Sequence, residues 1–233
     1  MEIKIIASGS SGNAYTCSDG KTTLLIECGV SFKRIQQGCN FRTNDIAGCL
    51  LSHGHGDHSK AAQDLISRGI DIYTSQGTID ALSLSGHRVH AIKELSRFEI
   101  GTFSVFPFDI EHDAPEPLGF LITSTVTDET LLFLTDSFYC RYVFKGLTHI
   151  MIEANYSLDI LRENIESDSG MGARKSRILE SHMSIDNLED MLRANDLSRV
   201  QQIYLIHMSS DNGDPDGFKD RIQRLTGAEV YIA

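Results

Sequence analysis

Six consecutive residues, His53 to His58, read HGHGDH and place three imidazoles and a carboxylate in one short stretch. Neutral imidazole and carboxylate are ligands for zinc and similar divalent ions. Gly54 and Gly56 permit backbone angles that a side chain forbids, so His53 and His55 can aim at one point. The preceding stretch, Gly48 to Leu51, has the apolar character of a buried strand. The stretch from Ser59 to Arg68 puts Ala62, Leu65 and Ile66 on one helical face. The cluster therefore occupies a strand-to-helix turn, with Asp57 and His58 at the helix entrance, where the helix dipole favours a carboxylate. A histidine pair in a loop commonly means nothing. Three histidines and an aspartate at this spacing and junction read as part of a metal site.

The elements that must position such a site follow from hydrophobic periodicity. Apolar runs predict strands over Ile3–Ile6, Thr22–Glu27, Gly48–Leu51, Ile70–Tyr73, Phe103–Phe106, Gly119–Thr123, Leu131–Leu134, His149–Ile152, Gln202–Ile206 and Glu229–Ile232. Helices are predicted over Ser59–Arg68, over Ile185–Ala194 with Leu188, Met191 and Leu192 on one face, and around Phe218, Ile222 and Leu225. The order is strand-rich first and alternating later, which suggests sheets flanked by helices rather than one all-parallel sheet. No repeat, low-complexity tract or Pro/Gly/Ser-rich linker divides the chain, so residues 1–233 read as a single domain.

Composition narrows the classes. The 233 residues suffice for a sizeable core, and no apolar run approaches the roughly 18 residues that a membrane span needs. Five cysteines without a C-x-x-C pair are best explained as scattered buried thiols in a reducing compartment, which points to the cytoplasm. A formal charge of −11 argues against sequence-blind nucleic-acid binding over the whole surface. It leaves a phosphate substrate open, because two divalent cations would bring four positive charges to one spot. The oligomeric state is left open.

Two further segments have two readings each. Ser8 to Asn13, small residues after a first strand, form either a phosphate nest involving Ser10, Ser11 and Asn13 or a tight turn beside the site. Ser167 to Arg177 turns basic at Arg174, Lys175 and Arg177, and is either a solvated helix start or an electropositive lip that contacts substrate.

His53, His55, Asp57 and His58 match H-x-H-x-D-H, and on that motif the chain resembles the metallo-β-lactamase superfamily. The resemblance implies an α+β fold of the four-layer αββα sandwich type, the metallo-β-lactamase fold, with two adjacent divalent metals, Zn2+ or Mn2+. It assigns the remaining ligands to His112 in EHDAPEPLGF, Asp136 after LLFLTD, and His207 in IYLIHMSS. The implied sets are His53, His55, His112 and Asp136 for one metal, and Asp57, His58, Asp136 and His207 for the other. Glu27 stands where the family usually has an aspartate. His87, His90 and His149 complete no set.

Within the superfamily, the chain is most similar to the WalJ/YycJ-type phosphodiesterase and exonuclease group. ASGSSGN at Ala7 to Asn13, HDAPEPLGF at His112 to Phe120, and EAN at Glu153 to Asn155 carry that likeness. Tyr156 stands where the group often has a histidine, and Ser184 is followed by Ile185 rather than asparagine. The resemblance implies hydrolysis of phosphodiester bonds in nucleic acid by a hydroxide bridging the metals, with DNA ahead of RNA and attack from 5′ ends. Asp57 would hold the proton of the attacking hydroxide, and His182 would stabilise or protonate the leaving oxygen. Asn155 joins the substrate contacts. The rival readings are a thioesterase or other small-molecule hydrolase of the same fold, and a non-catalytic ligand sensor.

Overall fold

Runs of aliphatic residues build strands wherever the sequence predicts them, and the strands sort into separate groups. The computed structural model describes residues 1–167, 179 and 181–233, and its compact units are residues 1–109 with 114–130, and residues 110–113 with 131–233. Lys175 and Arg177, with the rest of the basic segment after Ser167, lie outside the described residues.

In the first unit, β1 (Glu2–Ala7), β2 (Ala14–Ser18), β3 (Thr23–Ile26), β4 (Ile46–Leu50), β5 (Ile72–Thr74) and β6 (Val89–Ala91) form a sheet in chain order. The first three strands pair antiparallel, and β3 to β6 run parallel. Leu25, Ile35, Cys49, Leu51, Leu65 and Ile72 are fully buried in its core. A second group, β7 (Phe98–Ile100), β8 (Phe103–Asp109) and β9 (Leu118–Ser124), is antiparallel. The helix expected over Ser59–Arg68 divides into α2 (Gly56–Ser59) and α3 (Ala62–Ser67), with α1 (Phe32–Gly38) earlier in the chain and α4 (Gln76–Leu82) later. The break has a local cause. The Ala61 amide donates to the Cys28 carbonyl (2.8 Å), and Ala61 itself leaves helical geometry at φ −97°, ψ 8°.

In the second unit, β10 (Thr130–Leu134), β11 (His149–Glu153), β12 (Gln202–Ile206) and β13 (Glu229–Ile232) are successive parallel neighbours. Every residue of β10 and β11 is buried, which is why both read as nearly continuous apolar runs. The register pairs Glu153 with Ile206, so the residues that follow, Ala154 and His207, leave the sheet side by side. After α5 (Leu158–Ser167), Ser184 caps α6 (Ile185–Ala194) by accepting from the Asn187 amide (3.1 Å). The last helix, α7 (Pro215–Thr226), starts with Asp214 as cap and Pro215 in its first turn, and ends at Gly227 with φ 69°. Arg221 ties α7 to α6 through Asp186 (2.7 Å) and Glu189 (2.8 Å).

Asp19, in the β2–β3 turn, fastens three parts of the first unit. One carboxylate oxygen accepts from the Lys21 and Thr22 amides (3.0 and 2.9 Å), the other from the Thr102 and Ser124 hydroxyls (2.6 and 2.8 Å). Slight burial works against the charge, but these hydrogen bonds prevail and hold the carboxyl down at about 2. The charged form is the bonded one. Its contribution is therefore complete above the ordinary carboxylate value and is lost as pH falls through about 2. Asp19→Ala should lower the stability measured by urea unfolding at neutral pH by about 1 kcal/mol, a figure kept small for solvent screening. The gap from wild type should stay flat down to about pH 4 and close near pH 2; a gap that widens with acid would contradict the assignment.

Candidate metal centre

In the first unit the parallel strands β3 and β4 end side by side, and the site residues follow directly. Glu27 succeeds β3 with φ 62°, a left-handed conformation that an ordinary side chain adopts only when its surroundings hold it there. Its backbone amide donates to the Leu50 carbonyl (2.9 Å), and its fully buried carboxylate accepts from the Ser52 amide (3.2 Å). The other oxygen, Oε2, lies 3.4 Å from His58 Nδ1. The longer carboxylate therefore reaches the imidazole from a position where the family usually has aspartate.

His53 and His58 are fully buried, with ring centroids 4.3 Å apart. His53 Nδ1 is held against the Ser52 hydroxyl (2.9 Å), and its Nε2 approaches His55 Nδ1 at 3.1 Å. Two ring nitrogens that close, with both rings edge-to-face, converge on a common point. His58 Nε2 lies 3.5 Å from the half-buried Asp57 carboxylate. Ser59 fastens the turn by donating to the Gly54 and His55 carbonyls (3.1 and 2.9 Å).

Asn13 locks this turn from the side. Its backbone amide and side-chain amide both donate to the Asp57 carbonyl (2.8 and 3.2 Å), and its side-chain oxygen accepts from the Gly9 amide and the Tyr15 hydroxyl. Gly29 packs so closely that an added Cβ would stand 1.6 Å from the Asp57 carbonyl oxygen. Of the residues predicted to contact substrate, Asn13 is thus fully buried and committed to holding the ligand turn. Ser10 and Ser11 are exposed at the tip of the same loop.

In the second unit the organising group is Glu153, the last residue of β11 and fully buried. Its Oε1 accepts from His182 Nδ1 (2.7 Å), His207 Nδ1 (2.9 Å) and the Asn155 side chain (3.2 Å). Its Oε2 accepts from the Met183 and Ser137 amides (3.0 and 3.3 Å). Burial works against the charge, but the neighbouring His182 charge and the His182 and His207 hydrogen bonds prevail and hold the carboxyl below its ordinary range. Burial likewise pushes the His182 imidazole down, while the Glu153 charge and hydrogen bond push it up further, and the net direction is upward. His182 and His207 stack with centroids 5.4 Å apart.

Asp136 and His207 both follow strands with left-handed backbones, at φ 49° and 51°, and both are buried. Asp136 Oδ1 accepts from Thr135 Oγ1 (2.9 Å) and lies 3.3 Å from His207 Nδ1; its Oδ2 lies 3.6 Å from His112 Nε2. His112 Nδ1 donates to the Ser181 carbonyl (3.1 Å). Asn155, another predicted substrate contact, is buried and donates to the His207 carbonyl (2.8 Å) as well as to Glu153. Its hydrogen bonds position the histidine.

The donor chemistry fits divalent cations. Asp136, Glu153, His182 and His207 each offer a ligand atom within 4.8 Å of the others. In the first unit Glu27 Oε2 is buried without a hydrogen-bond partner while it faces an imidazole nitrogen. A carboxylate behind the imidazole, with the other ring nitrogen left for a ligand, is the arrangement that orients metal-binding histidines. Glu153 and Glu27 are the buried carboxylates beside candidate imidazoles that motif reading left out of the site. The EAN segment carried the signal for the first, and the strand-end position of Glu27 for the second. His149 is buried against the Thr148 hydroxyl (2.9 Å), and His90 stacks on Tyr73, consistent with structural roles.

Glu153→Gln keeps the size but replaces one acceptor by a donor amid five donors. It should cost about 3 kcal/mol in urea unfolding, because a buried donor is left unsatisfied and two imidazoles lose their anchor. An unchanged midpoint would show that Glu153 is not the organising group.

Comparison with known proteins agrees with this chemistry. A family model described as a β-lactamase superfamily domain matches residues 22–208. The chain is 30% identical over 230 residues to exodeoxyribonuclease WalJ of Streptococcus pneumoniae, covering 91% of this chain and 83% of that protein. It is 26% identical over 234 residues to exodeoxyribonuclease YycJ of Bacillus anthracis, with 91% and 84% covered. Among solved structures, the metallo-β-lactamase fold protein YhfI from Bacillus subtilis superimposes with a TM-score of 0.73 at 17% identity, covering 99% of this chain and 95% of the other. The short form of human tRNase Z gives 0.66 at 16% identity, with 100% and 96% covered. These likenesses bear out the expected α+β sandwich fold. The chain belongs to the β-lactamase superfamily domain family, among the WalJ/YycJ-type proteins, and is a metal-dependent hydrolase of the metallo-β-lactamase fold.

Proposed function

We propose that residues 1–233 act as one domain whose donor sets make a dinuclear centre for hydrolysing phosphodiester bonds in DNA, from the 5′ end. His53, His55, His112 and Asp136 would hold one ion, and Asp57, His58, Asp136 and His207 the other, with zinc or manganese as the metal. The names of the 30% and 26% identical relatives, both exodeoxyribonucleases, support the substrate. The observation that carries the reading is the anchoring of His182. Its Nδ1 is fixed on Glu153 at 2.7 Å and its ring is partly exposed, which reserves Nε2 for a partner outside the cluster.

The residues then divide the work. When bound, a metal pair supplies Lewis-acid activation of water and neutralises charge building on a phosphoryl oxygen. Asp57, half-buried beside His58, accepts a proton from the attacking water. His182 Nε2 donates a proton to the departing oxygen, and Glu153 stabilises the charge that His182 carries before it does so. Ser10 and Ser11, exposed at the loop tip, and the basic Lys175 and Arg177 would meet phosphates. No helix among the described residues is long and apolar enough to cross a membrane. The cytoplasm is the proposed compartment, supported by five cysteines that are all free.

Metal-loaded protein should release nucleotides from the 5′ ends of end-labelled DNA and act more slowly on RNA. Hydrolysis of an acyl thioester without any phosphodiester cleavage would overturn the reading. His182→Ala should lower kcat at least about 100-fold, the scale of a lost general acid, while metal content stays at the wild-type level. Loss of the metals instead would make His182 a ligand.

A further inference from the structure

The loop after Asp136 carries chemistry that the hydrolytic centre does not use. Residues 137–145 read SFYCRYVFK, interleaving aromatic side chains with Arg141 and Lys145. Phe138 is 42% exposed, Tyr139 48% and Val143 62%, three of the six large apolar side chains that stand out into solvent among the described residues. The backbone beneath them is tied down. The Phe138 amide donates to the Glu111 carbonyl (3.0 Å), and its carbonyl accepts from the Asn187 side chain (3.1 Å). The Ser137 hydroxyl donates to the Tyr139 carbonyl (2.8 Å), and the Phe144 amide donates to Asn195 (2.7 Å). The rings therefore project from a fixed base.

We infer that Phe138 and Tyr139 form a stacking platform for the unpaired bases of a single-stranded nucleic-acid end. This rests on the phosphodiesterase reading and names the form of its substrate. Three features carry it. Rings held on a fixed backbone lose little freedom when a flat partner settles on them. Every base has a π-face, but in a duplex those faces are covered by neighbouring bases, so a platform of this kind selects unpaired nucleotides. Arg141 and Lys145 are exposed on the same loop, so cations stand beside the rings where the phosphate chain joining stacked bases would run. Arg141 pairs with exposed Glu111 at 3.6 Å and lies 5.6 Å from the Tyr142 ring centre. Phe138 is two residues past Asp136, so the platform begins within about 7 Å of chain from that residue.

The test is binding of a short 3′-fluorescein phosphorothioate oligothymidylate, its 5′ end free, to metal-loaded protein, followed by anisotropy. The Phe138→Ala/Tyr139→Ala double variant should weaken binding at least tenfold. The Phe138→Tyr/Tyr139→Phe variant, which keeps both rings, should stay within about twofold of wild type. Melting temperatures check that both variants fold. A folded alanine variant that binds like wild type would overturn the platform. So would sedimentation showing a wild-type dimer that the alanine variant dissociates, because the patch would then cover a second copy of the chain. Hydrolysis of bis(p-nitrophenyl) phosphate by the wild type separates the two levels. A protein that cleaves this reporter while the alanine variant keeps full oligonucleotide binding loses only the platform; one that cleaves neither reporter nor nucleic acid loses the phosphodiesterase reading and the platform with it.

Discussion

A buried carboxylate survives only if donors surround it, and Glu153 meets that demand with two imidazoles, two backbone amides and a side-chain amide. Those donors arrive from four stretches, after β10, directly after β11, before α6 and after β12. Satisfying one anion therefore fixes the second unit's site residues relative to one another. The same device recurs across the chain. His58 Nδ1 faces Glu27 Oε2 at 3.4 Å, His53 Nδ1 meets the Ser52 hydroxyl, and His112 Nδ1 donates to the Ser181 carbonyl. A carboxylate or carbonyl at Nδ1 favours the proton there and leaves Nε2 for a ligand. An array of imidazoles that would otherwise flip and tilt becomes a preset donor set.

The backbone makes a matching investment. Glu27 and His207 adopt a left-handed turn immediately beyond a strand and Asp136 one residue later, a conformation that costs a non-glycine residue about 1 kcal/mol or more. The conformation turns the chain out of the sheet within one or two residues, so each of these side chains sits close to a strand end and not farther along a loop. The rigidity of parallel strands buried on both faces is thereby passed on to the ligands. Gly29 and Asn13 play the same part from the side, where close backbone contact leaves Asp57 and His58 no room to shift.

What could be read in the sequence was what is local. HGHGDH is contiguous and its chemistry is explicit. Long apolar runs such as those of β10 and β12 gave strands within a residue of their ends. Short β2, β6 and β7 mix polar with apolar residues over three to five positions, too little for a periodic signal. The break in the helix after His58 depends on a hydrogen bond from Ala61 to Cys28, 33 residues earlier in the chain. Glu153 was harder still. At the end of HIMIE it resembles any acid closing a strand, and its partners lie 16, 29, 30 and 54 residues away. Asn13 and Asn155 show the converse, for polar side chains in family motifs suggested substrate contact, while both are buried and donate to the backbone carbonyls of Asp57 and His207.

We propose that preset imidazoles and carboxylates would hold two divalent ions in one centre. Metal content of the purified chain, measured by mass spectrometry after dialysis against limiting zinc or manganese, tests it directly. Two equivalents per chain are expected, falling to one or fewer when Asp136, the residue proposed to serve both ions, is replaced by alanine. A wild-type chain that holds no metal, or an Asp136→Ala variant that keeps both equivalents, would contradict it.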